Sequence, residues 1–412
     1  MRGKGKFLVA LVAAAGLVAS AGPALAVGVG GDWPQADHDA SGNRANTTAT
    51  QITAANAATV SDLRAFGAPI YPVDQEMNCG EGWTMPVLAG KRAYAVKTGR
   101  LAALDLTTGN QVWQRDIDPD GLSESFVQAV VGGRVFVAQL SCLSASDPNG
   151  TVRAFDAATG APLWTFEQNG GAGGTGGING LAVDGNLVLA TGVSEGNGLT
   201  VNVLNAATGA LVWSRRGDVC PVTPRIVGQQ VYYQECGTEQ PTELVAARLL
   251  DGSVVWRKAG DFPVVRGDRP GLDSTHVFTN SVALNTATGA TRYTMAGATR
   301  VDAVGTNRVF GACGTVVCAF DKTTGARVWT STIAASVDVS ESPSGIEFPA
   351  RPAAASTLLY LPTGQVLNSS TGTVVTRLWT GQARWMSVGN GYVVAVLESS
   401  PRLMEVFGLP GT

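Results

Sequence analysis

Seven near-copies of one eleven-residue segment dominate the sequence. In six of them an Asp or Asn is followed, after two further residues, by Thr-Gly, and the fourth copy, residues 246–256, carries Asp251-Gly252 at its turn. The first and last turn glycines lie 263 residues apart, so the six intervals average about 44 residues, which is the period of a β-propeller blade. The turn glycines are Gly109, Gly160, Gly209, Gly252, Gly289, Gly325 and Gly372.

Each copy has the pattern of a β-hairpin. An alternating strand leads to an Asx residue that can hydrogen-bond the turn backbone, the glycine supplies positive φ, and a second strand follows. Another hairpin precedes each copy, as in residues 85–96 and 127–138, so that one period holds four strands. The glycine content, 52 of 412 residues, suits such a turn-rich fold.

The two ends of the chain together supply a last blade. Trp385 to Val396 and Arg402 to Phe407 give three strands that lack a partner, and Leu63 to Phe66 provides a fourth. Closure of this kind removes exposed sheet edges. The sequence therefore predicts an all-β fold, an eight-bladed β-propeller of four-stranded antiparallel blades closed by pairing of the N- and C-terminal strands.

The repeated segments resemble the repeat of pyrroloquinoline quinone (PQQ) proteins, Ala-x-Asp-x-x-Thr-Gly-x-x-x-Trp. Asp32-Trp-Pro-Gln-Ala-Asp-His-Asp39, followed by residues 52–56 and 63–66, is similar to the lead-in of that superfamily. The superfamily includes the propeller lipoprotein of the outer-membrane assembly machinery, sensor domains of bacterial kinases, and PQQ-dependent alcohol dehydrogenases. The resemblance therefore implies either a binding protein or an enzyme.

Residues 1–26 have the pattern of an export signal. Three basic residues lie within residues 2–6, residues 7–19 form a short apolar run, and Ala24-Leu25-Ala26 is a small-x-small cleavage site. An uncleaved membrane anchor is the alternative, but Gly22-Pro23 would break the helix where an anchor should continue. We therefore expect a secreted protein cut after Ala26.

The mature chain, residues 27–412, is predicted to be a single propeller domain, in which residues 27–66 form the lead-in and closing strand. The formal net charge of the full chain, −3, with 15% charged residues, supplies no surface that would neutralise phosphates, so we expect no nucleic-acid partner. Because the only long apolar run lies in the export signal, we also expect no membrane span in the mature chain.

Six cysteines in an exported chain indicate three disulfides, although six cysteines allow 15 pairings. One predicted pair is symmetric about the turn at Gly228, a second flanks the two-residue turn Gly314-Thr315, and the third follows by elimination. The pairs are Cys220 with Cys236, Cys313 with Cys318, and Cys79 with Cys142.

The aromatic residue four positions after the turn glycine occurs in six of the seven copies. Its predicted role is packing between adjacent blades, and a cofactor-binding role is the alternative. These residues are Trp113, Trp164, Trp213, Trp256, Tyr293 and Trp329.

One acidic motif, Asp-x-Asp-x-Asp-Gly-x-x-Glu, resembles calcium-binding loops. Pro119 fixes φ near −65° where such loops commonly need positive φ, and Val127 stands where a bidentate acid is expected. We therefore favour a solvated acidic turn over a calcium site, and we assign no metal ligand. The carboxylates of the motif are Asp116, Asp118, Asp120 and Glu124.

The face that carries the loops between blades is the predicted docking face, because loops vary on a rigid scaffold. The cysteines and the longer insertions, residues 116–125, 169–180 and 336–349, map to it, and the glycine tract at 169–180 is predicted to be a flexible loop. Six side chains lie in segments that could reach the central funnel, although ordinary surface or blade-contact roles are the favoured interpretation for each: Glu81, Trp83, Arg266, Arg269, Asp338 and Arg351. His38 and His276 are expected to be core or turn residues.

The sequence therefore favours an exported, non-catalytic binding or scaffold protein whose partner, a protein or a small molecule, docks on the loop face. The alternative is a small PQQ-dependent dehydrogenase of alcohols or sugars. No adjacent cysteine pair and no large insertions of the PQQ alcohol dehydrogenases occur in the sequence, so no catalytic residue and no cofactor are assigned.

Overall fold

The computed structural model describes most of the chain after the predicted export signal. The described residues are 31–67, 82–97, 99–118, 123–141, 149–169, 176–194, 198–217, 224–235, 242–260, 271–335, 351–398 and 403–411.

A lead-in of little regular structure precedes the blades. It contains strand β1 (Ala45–Asn46), one 3-10 turn (Ala57–Thr59) and strand β2 (Ser61–Phe66).

Each of the first seven blades has four antiparallel strands, which we name A to D in chain order from the channel outward, and β1 of the lead-in adds a parallel fifth strand to the inner edge of blade 7. Blade 1 contains β3 (Val87–Ala89), β4 (Arg92–Lys97), β5 (Arg100–Asp105) and β6 (Gln111–Asp116). Blade 2 contains β7 (Ser123–Val131), β8 (Arg134–Ser141), β9 (Asn149–Asp156) and β10 (Pro162–Asn169). Blade 3 contains β11 (Gly176–Asp184), β12 (Leu187–Ser194), β13 (Gly198–Asn205) and β14 (Leu211–Gly217).

The same pattern continues through the next four blades. Blade 4 contains β15 (Arg225–Val227), β16 (Gln230–Glu235), β17 (Glu243–Arg248) and β18 (Val254–Ala259). Blade 5 contains β19 (Gly271–Leu272), β20 (His276–Thr279), β21 (Val282–Asn285) and β22 (Thr291–Thr294). Blade 6 contains β23 (Arg300–Val304), β24 (Arg308–Cys313), β25 (Val316–Asp321) and β26 (Arg327–Ala334). Blade 7 contains β27 (Ala353–Ala355), β28 (Leu358–Tyr360), β29 (Gln365–Asn368) and β30 (Val374–Arg377).

Blade 8 joins the two ends of the chain. It contains β31 (Ala383–Gly389), β32 (Tyr392–Leu397) and β33 (Met404–Gly408), with β2 of the lead-in as its outer strand. The β2–β33 pairing is antiparallel and runs from Ser61 opposite Gly408 to Phe66 opposite Met404. The predicted eight-bladed fold, closed by the N- and C-terminal strands, is confirmed.

The repeated hairpin forms the C and D strands of a blade. In blade 1, the Asp105 carboxylate accepts hydrogen bonds from the backbone N–H of Thr107 (2.9 Å) and Thr108 (2.7 Å), and the Gly109 N–H donates to the Asp105 carbonyl at 2.8 Å. Gly109 has φ of +78°, a conformation that side chains other than glycine rarely adopt. The Asx and the glycine of each copy therefore fix one turn between two strands.

The glycine tract of residues 169–180 differs from the flexible loop predicted for it. Strand β10 extends to Asn169, and β11 begins at Gly176, so part of the tract is strand and residues 170–175 lie outside the described residues. Gly177 pairs with Leu140 of blade 2, and an ideal Cβ on Gly150 would lie only 2.5 Å from the Gly177 carbonyl carbon. Glycines are therefore needed there because two blades approach backbone to backbone.

The hydrophobic core is divided among the junctions between blades. Val135 and Trp113 belong to the cluster between blades 1 and 2, whereas Val188 and Phe136 belong to the cluster between blades 2 and 3. Each blade is therefore stabilised mainly by its neighbours, as in other repeat proteins. Among the helices that the structure describes, none is long and apolar enough to cross a bilayer.

Candidate functional site

The lead-in closes one end of the central channel. We call residues 31–46 the central segment. It contacts the A strands of the blades in blade order, and each contact lies near the end of the A strand that precedes the A–B turn. The hydrogen bonds are Trp33 N to Leu88 O (blade 1, 2.9 Å), Val130 N to Pro34 O (blade 2, 2.7 Å), Gln35 Nε2 to Val183 O (blade 3, 2.8 Å), Ile226 N to Ala40 O (blade 4, 2.8 Å), Val304 N to Asn43 O (blade 6, 2.7 Å), Ala354 N to Arg44 O (blade 7, 2.9 Å) and Asn46 Nδ2 to Val388 O (blade 8, 2.9 Å).

Blade 5 meets the central segment through a close backbone approach. An ideal Cβ on Gly271 would lie 4.0 Å from the Gly42 carbonyl oxygen, so the two backbones lie side by side. One segment of sixteen residues therefore touches all eight blades.

A buried carboxylate lies at the middle of the central segment. Asp37 bonds Arg44 through Oδ1 at 2.8 Å and Arg225 of blade 4 through Oδ2 at 2.6 Å. Arg44 also donates to the carbonyls of Arg351 and Pro352, both at 3.1 Å. The side chains of Asp37 and Arg225 are 5% and 3% exposed, so the two ion pairs are almost fully removed from water.

Gly42 makes room for this cluster. An ideal Cβ on Gly42 would lie 2.1 Å from Nε of Arg225, and the residue has φ of +65°. Burial lowers the pKa of Arg225 below its ordinary value, and the charge of Asp37 and its hydrogen bond oppose that shift. A guanidinium stays protonated in proteins, so Arg225 remains charged and depends on Asp37 for its counter-charge.

Two further arginines of the inner strands are paired within their own blades. Arg300 holds both carboxylate oxygens of Asp302, at 2.6 and 3.2 Å, and Arg384 lies 3.5 Å from Glu398. Each of these two guanidiniums is therefore neutralised by the chain itself.

A polar cleft of 210 Å³ lies on the same face, between blades 6 and 7. Thr47, Thr306, Ser356 and Ser370 contribute hydroxyl groups, and Arg308 is paired with Asp321 at 3.2 Å. Pockets for drug-sized ligands usually exceed about 300 Å³, so this cleft suits only a small polar molecule.

The six aromatic residues of the repeat lie at the outer junctions of consecutive blades. The Trp164 ring covers the turn of blade 3, where an ideal Cβ on Gly209 would lie 2.6 Å from Cε3, and its Nε1 donates to the Ala206 carbonyl at 3.1 Å. The corresponding bonds are Trp113 Nε1 to Ala157 O (3.1 Å), Trp213 Nε1 to Leu249 O (2.9 Å), Trp256 Nε1 to Thr286 O (2.8 Å), Trp329 Nε1 to Ser369 O (3.0 Å) and Tyr293 Oη to Lys322 O. We call these contacts the rim contacts.

The acidic motif is only partly described. Asp116 forms an ion pair with Arg100 at 2.9 Å, and the Asp118 N–H donates to the Gly99 carbonyl at 3.1 Å. Asp120 and the side chain of Glu124 lie outside the described residues. No group of three metal-ligating side chains occurs in the described part of the chain.

One of the three predicted disulfides falls within the described residues. Cys313 and Cys318 are bonded across the turn between β24 and β25, with Cα atoms 5.9 Å apart. The other four cysteines, Cys79, Cys142, Cys220 and Cys236, lie outside the described residues, so those two pairings remain predictions.

The predicted funnel residues are described only in part. Trp83 is buried and donates through Nε1 to the Phe66 carbonyl at 3.0 Å, and Arg351 is 6% exposed beside the Asp37 cluster. Glu81, Arg266, Arg269 and Asp338 lie outside the described residues.

The two histidines lie in structural positions. His38 Nδ1 lies 3.0 Å from Asn43 Oδ1 within the central segment. His276, at the start of β20, stacks on Phe278 and lies 3.3 Å from Asp273, which also pairs with Lys322 of blade 6 at 3.1 Å. Burial lowers the pKa of His276, against the opposing charge and hydrogen bond of Asp273.

Sequence reasoning missed the Asp37 cluster. Asp37 and Arg225 are 188 residues apart and pair once, so no repeat signals their contact. The available signal was the position of Arg225, a basic residue at the start of an inner strand where blade 1 has Val87.

The sequence matches the family model described as outer membrane protein assembly factor BamB, over residues 97–264 and 244–389. Because these two segments together span more than half of the chain, the protein belongs to this family of PQQ-like propeller repeat proteins. No curated protein sequence matches it.

Solved structures with the same fold include alcohol and methanol dehydrogenases as well as a BamB protein. Quinohemoprotein alcohol dehydrogenase from Comamonas testosteroni is 13% identical, with a TM-score of 0.66 over 92% of this chain and 81% of that one. BamB from Moraxella catarrhalis is 15% identical, with a TM-score of 0.55 over 85% of this chain and 99% of that one. A europium-containing methanol dehydrogenase is 14% identical, with a TM-score of 0.65 over 92% and 98%. At these identities the similarity shows the fold alone.

Proposed function

We propose that the protein is an exported, non-catalytic propeller that acts by binding a partner. The Asp37 cluster carries this proposal. The chain's own central segment closes one end of the channel. Asp37 neutralises Arg44 and Arg225, so their guanidinium groups are not free to bind a substrate. A catalytic site needs convergent polar groups that are free to meet the reacting molecule.

PQQ is the cofactor that the repeat implies, and the described residues do not fit it. PQQ carries three carboxylates, which require unpaired cations, whereas Arg225, Arg300 and Arg384 are each held by an acidic partner within the chain. The described part of the chain also offers no set of carboxylates for a calcium ion beside a quinone.

A titration with PQQ tests the proposal directly. The purified mature protein is titrated with PQQ and calcium chloride by calorimetry, and dye reduction is then measured with primary alcohols and aldoses. We expect neither one-to-one binding nor dye reduction, whereas a reconstituted PQQ alcohol dehydrogenase, run as the control, gives both. Stoichiometric binding accompanied by turnover would establish the dehydrogenase instead.

Export is the second part of the proposal. It rests on the basic, apolar and small-x-small pattern of residues 1–26. N-terminal sequencing of protein expressed in a bacterium with its own signal should give a chain beginning at Val27 in the secreted fraction. Full-length protein retained in the cytoplasm would contradict it.

A further inference from the structure

The polar cleft between blades 6 and 7, here called the blade 6–7 cleft, is built from separate parts of the chain. Its wall consists of the end of the central segment with Thr47, the A–B turns of blades 6 and 7, and the C–D turn of blade 7. The buried residues Phe310, Ala354 and Ala355 lie at its base. Its volume of 210 Å³ equals that of about seven water molecules at about 30 Å³ each, so it holds one small molecule.

Four hydroxyl groups of the wall make no hydrogen bond within the described part of the chain. They belong to Thr47, Thr306, Ser356 and Ser370. Ser356 is half-buried and the other three residues are exposed, so a molecule in the cleft can meet all four. Each hydroxyl can donate and accept a hydrogen bond. Several polar groups from distant parts of the chain therefore converge on one small volume, as they do in ligand sites.

The backbone of Ser356 lies in the left-handed region, with φ of +51°. It is the first residue of the A–B turn of blade 7, and in blades 1 to 4 the corresponding residue is glycine, with φ between +54° and +61°. Blade 8 has Asn390 there, and asparagine tolerates this region better than serine does. Glycine would therefore suit the turn of blade 7, and serine occupies it at a conformational cost. Residues strained in this way cluster at ligand sites.

The lining of the blade 6–7 cleft offers no free charge. Arg308 is the one charged residue among the described residues that line it, and its Nη1 is held by Asp321 at 3.2 Å and by the Asn307 carbonyl at 3.0 Å. An anionic ligand would need an unpaired cation, and a cationic ligand would need a carboxylate in the lining. The ligand that fits is therefore uncharged and rich in hydroxyl groups.

Backbone hydrogen bonds hold the wall in place. The Ser356 N–H donates to the Asn46 carbonyl at 3.3 Å, which ties the turn of blade 7 to the central segment. In the turn of blade 6, the Gly305 N–H donates to the Arg308 carbonyl at 2.9 Å. A preformed site loses little conformational freedom when its ligand binds, so weak contacts suffice for measurable affinity.

We propose that the blade 6–7 cleft binds one pyranose unit of an uncharged carbohydrate. The sugar hydroxyls replace water on Thr306, Ser356 and Ser370, and the C–H face of the ring lies on the apolar base. This inference rests on the proposed binding function and deepens it by naming the class of ligand. A free sugar and the end of a glycan both supply such a unit, because exposed residues line the mouth of the cleft.

Saturation-transfer NMR on the purified mature protein tests the proposal. The probes are the methyl glycosides of glucose, galactose, mannose, xylose and N-acetylglucosamine. We expect saturable binding of at least one probe, weakened about threefold in Thr306→Ala and at least about tenfold in Ser356→Gly/Thr306→Ala, which lacks two of the hydroxyls.

Lys91→Gly in blade 1 is the matched control. Lys91 also has positive φ, +61°, but lies outside the cleft, so this variant should bind the probes as the parent does. Neither glycine substitution should lower the melting temperature, because glycine suits positive φ. A loss of binding in the cleft variants therefore reports on the lost hydroxyls.

Three results would overturn the proposal. They are absence of saturation transfer to every probe at up to about 20 mM, binding that Ser356→Gly/Thr306→Ala leaves unchanged, and displacement of the bound glycoside by equimolar acetate or inorganic phosphate, which would make the cleft an anion site. A disaccharide that ends in the preferred sugar separates the two sources, since its binding indicates a glycan end and its exclusion a free sugar. None of these results depends on the quinone titration, so the two proposals fail separately.

Discussion

At the outer rim, Trp164 of blade 2 packs on Gly209 of blade 3, and the same contact recurs from one blade to the next. At the centre, the central segment hydrogen-bonds to inner strands around the whole ring, and Asp37 joins Arg44 to Arg225 once. A rim contact couples two neighbours, whereas the central segment couples blades that never touch each other. Damage at the rim should therefore stay local, and damage at the centre should spread.

The largest effect is expected from Asp37→Ala. Both Arg44 and Arg225 would lose their buried counter-charge, and removing one partner of a buried pair costs about 3–5 kcal/mol. Urea unfolding measures the loss. Asp39→Ala is the control, because that carboxylate is 38% exposed and bonds mainly to its neighbours Ser41 and Asn43. If Asp37→Ala lost no more unfolding free energy than Asp39→Ala, the Asp37 cluster would not be a main source of stability.

Trp164→Ala is expected to cost about 3 kcal/mol, through lost apolar burial and the cavity left over Gly209. Trp164→Phe, which keeps most of the ring but not the bond to Ala206, should lose less. Denaturant midpoints of the two variants measure the difference. If the alanine variant lost under about 1 kcal/mol, the rim contact would be of little consequence for stability.

Gly209→Ala should cost about 2 kcal/mol, because the residue has φ of +73° and its Cβ would meet the Trp164 ring. Gly185→Ala isolates the backbone contribution, since Gly185 has φ of +54° with nothing within 4 Å of an added Cβ. The difference between their unfolding free energies measures the ring contact alone. Equal losses would mean that the glycine is needed only for its conformation.

The smallest effect on stability is expected from protonation of His276 in blade 5. Its ring lies 5.9 Å from that of Tyr293, which stands where other blades have tryptophan. Burial lowers the pKa of His276, so the unfolded chain takes up the proton first, and stability should fall as pH drops below about 6.5. His276→Gln should reduce the fall in melting temperature between pH 7.5 and pH 5.5. That window lies above the ordinary range for Asp273, so the carboxylate does not contribute there. An identical pH dependence in the variant would show that His276 titrates normally.

The rim and the blades were predictable from the sequence because each contact recurs. The turn glycine and the aromatic residue four positions later appear at a fixed spacing, so that Gly160 and Trp164 could be assigned to a hairpin without knowledge of the fold. The closing strand was predictable for another reason, since three C-terminal strands required a partner and residues 63–66 supplied it.

The centre was not predictable to the same degree. Asp37 and Arg225 meet only after the ring has closed, and neither residue belongs to the repeat. The central segment shows no hydrophobic periodicity, because its hydrogen bonds go to the inner strands of seven different blades and impose none on its own side chains.

Hydrogen exchange, followed by mass spectrometry under native conditions, compares Asp37→Ala with Trp164→Ala most directly. The central segment couples the whole ring, so Asp37→Ala should accelerate exchange in the inner strands of all eight blades together. Trp164→Ala should accelerate exchange first in blades 2 and 3. Faster exchange confined to blades 4 and 7 in Asp37→Ala, the blades that contribute Arg225 and the carbonyls bound by Arg44, would contradict the account.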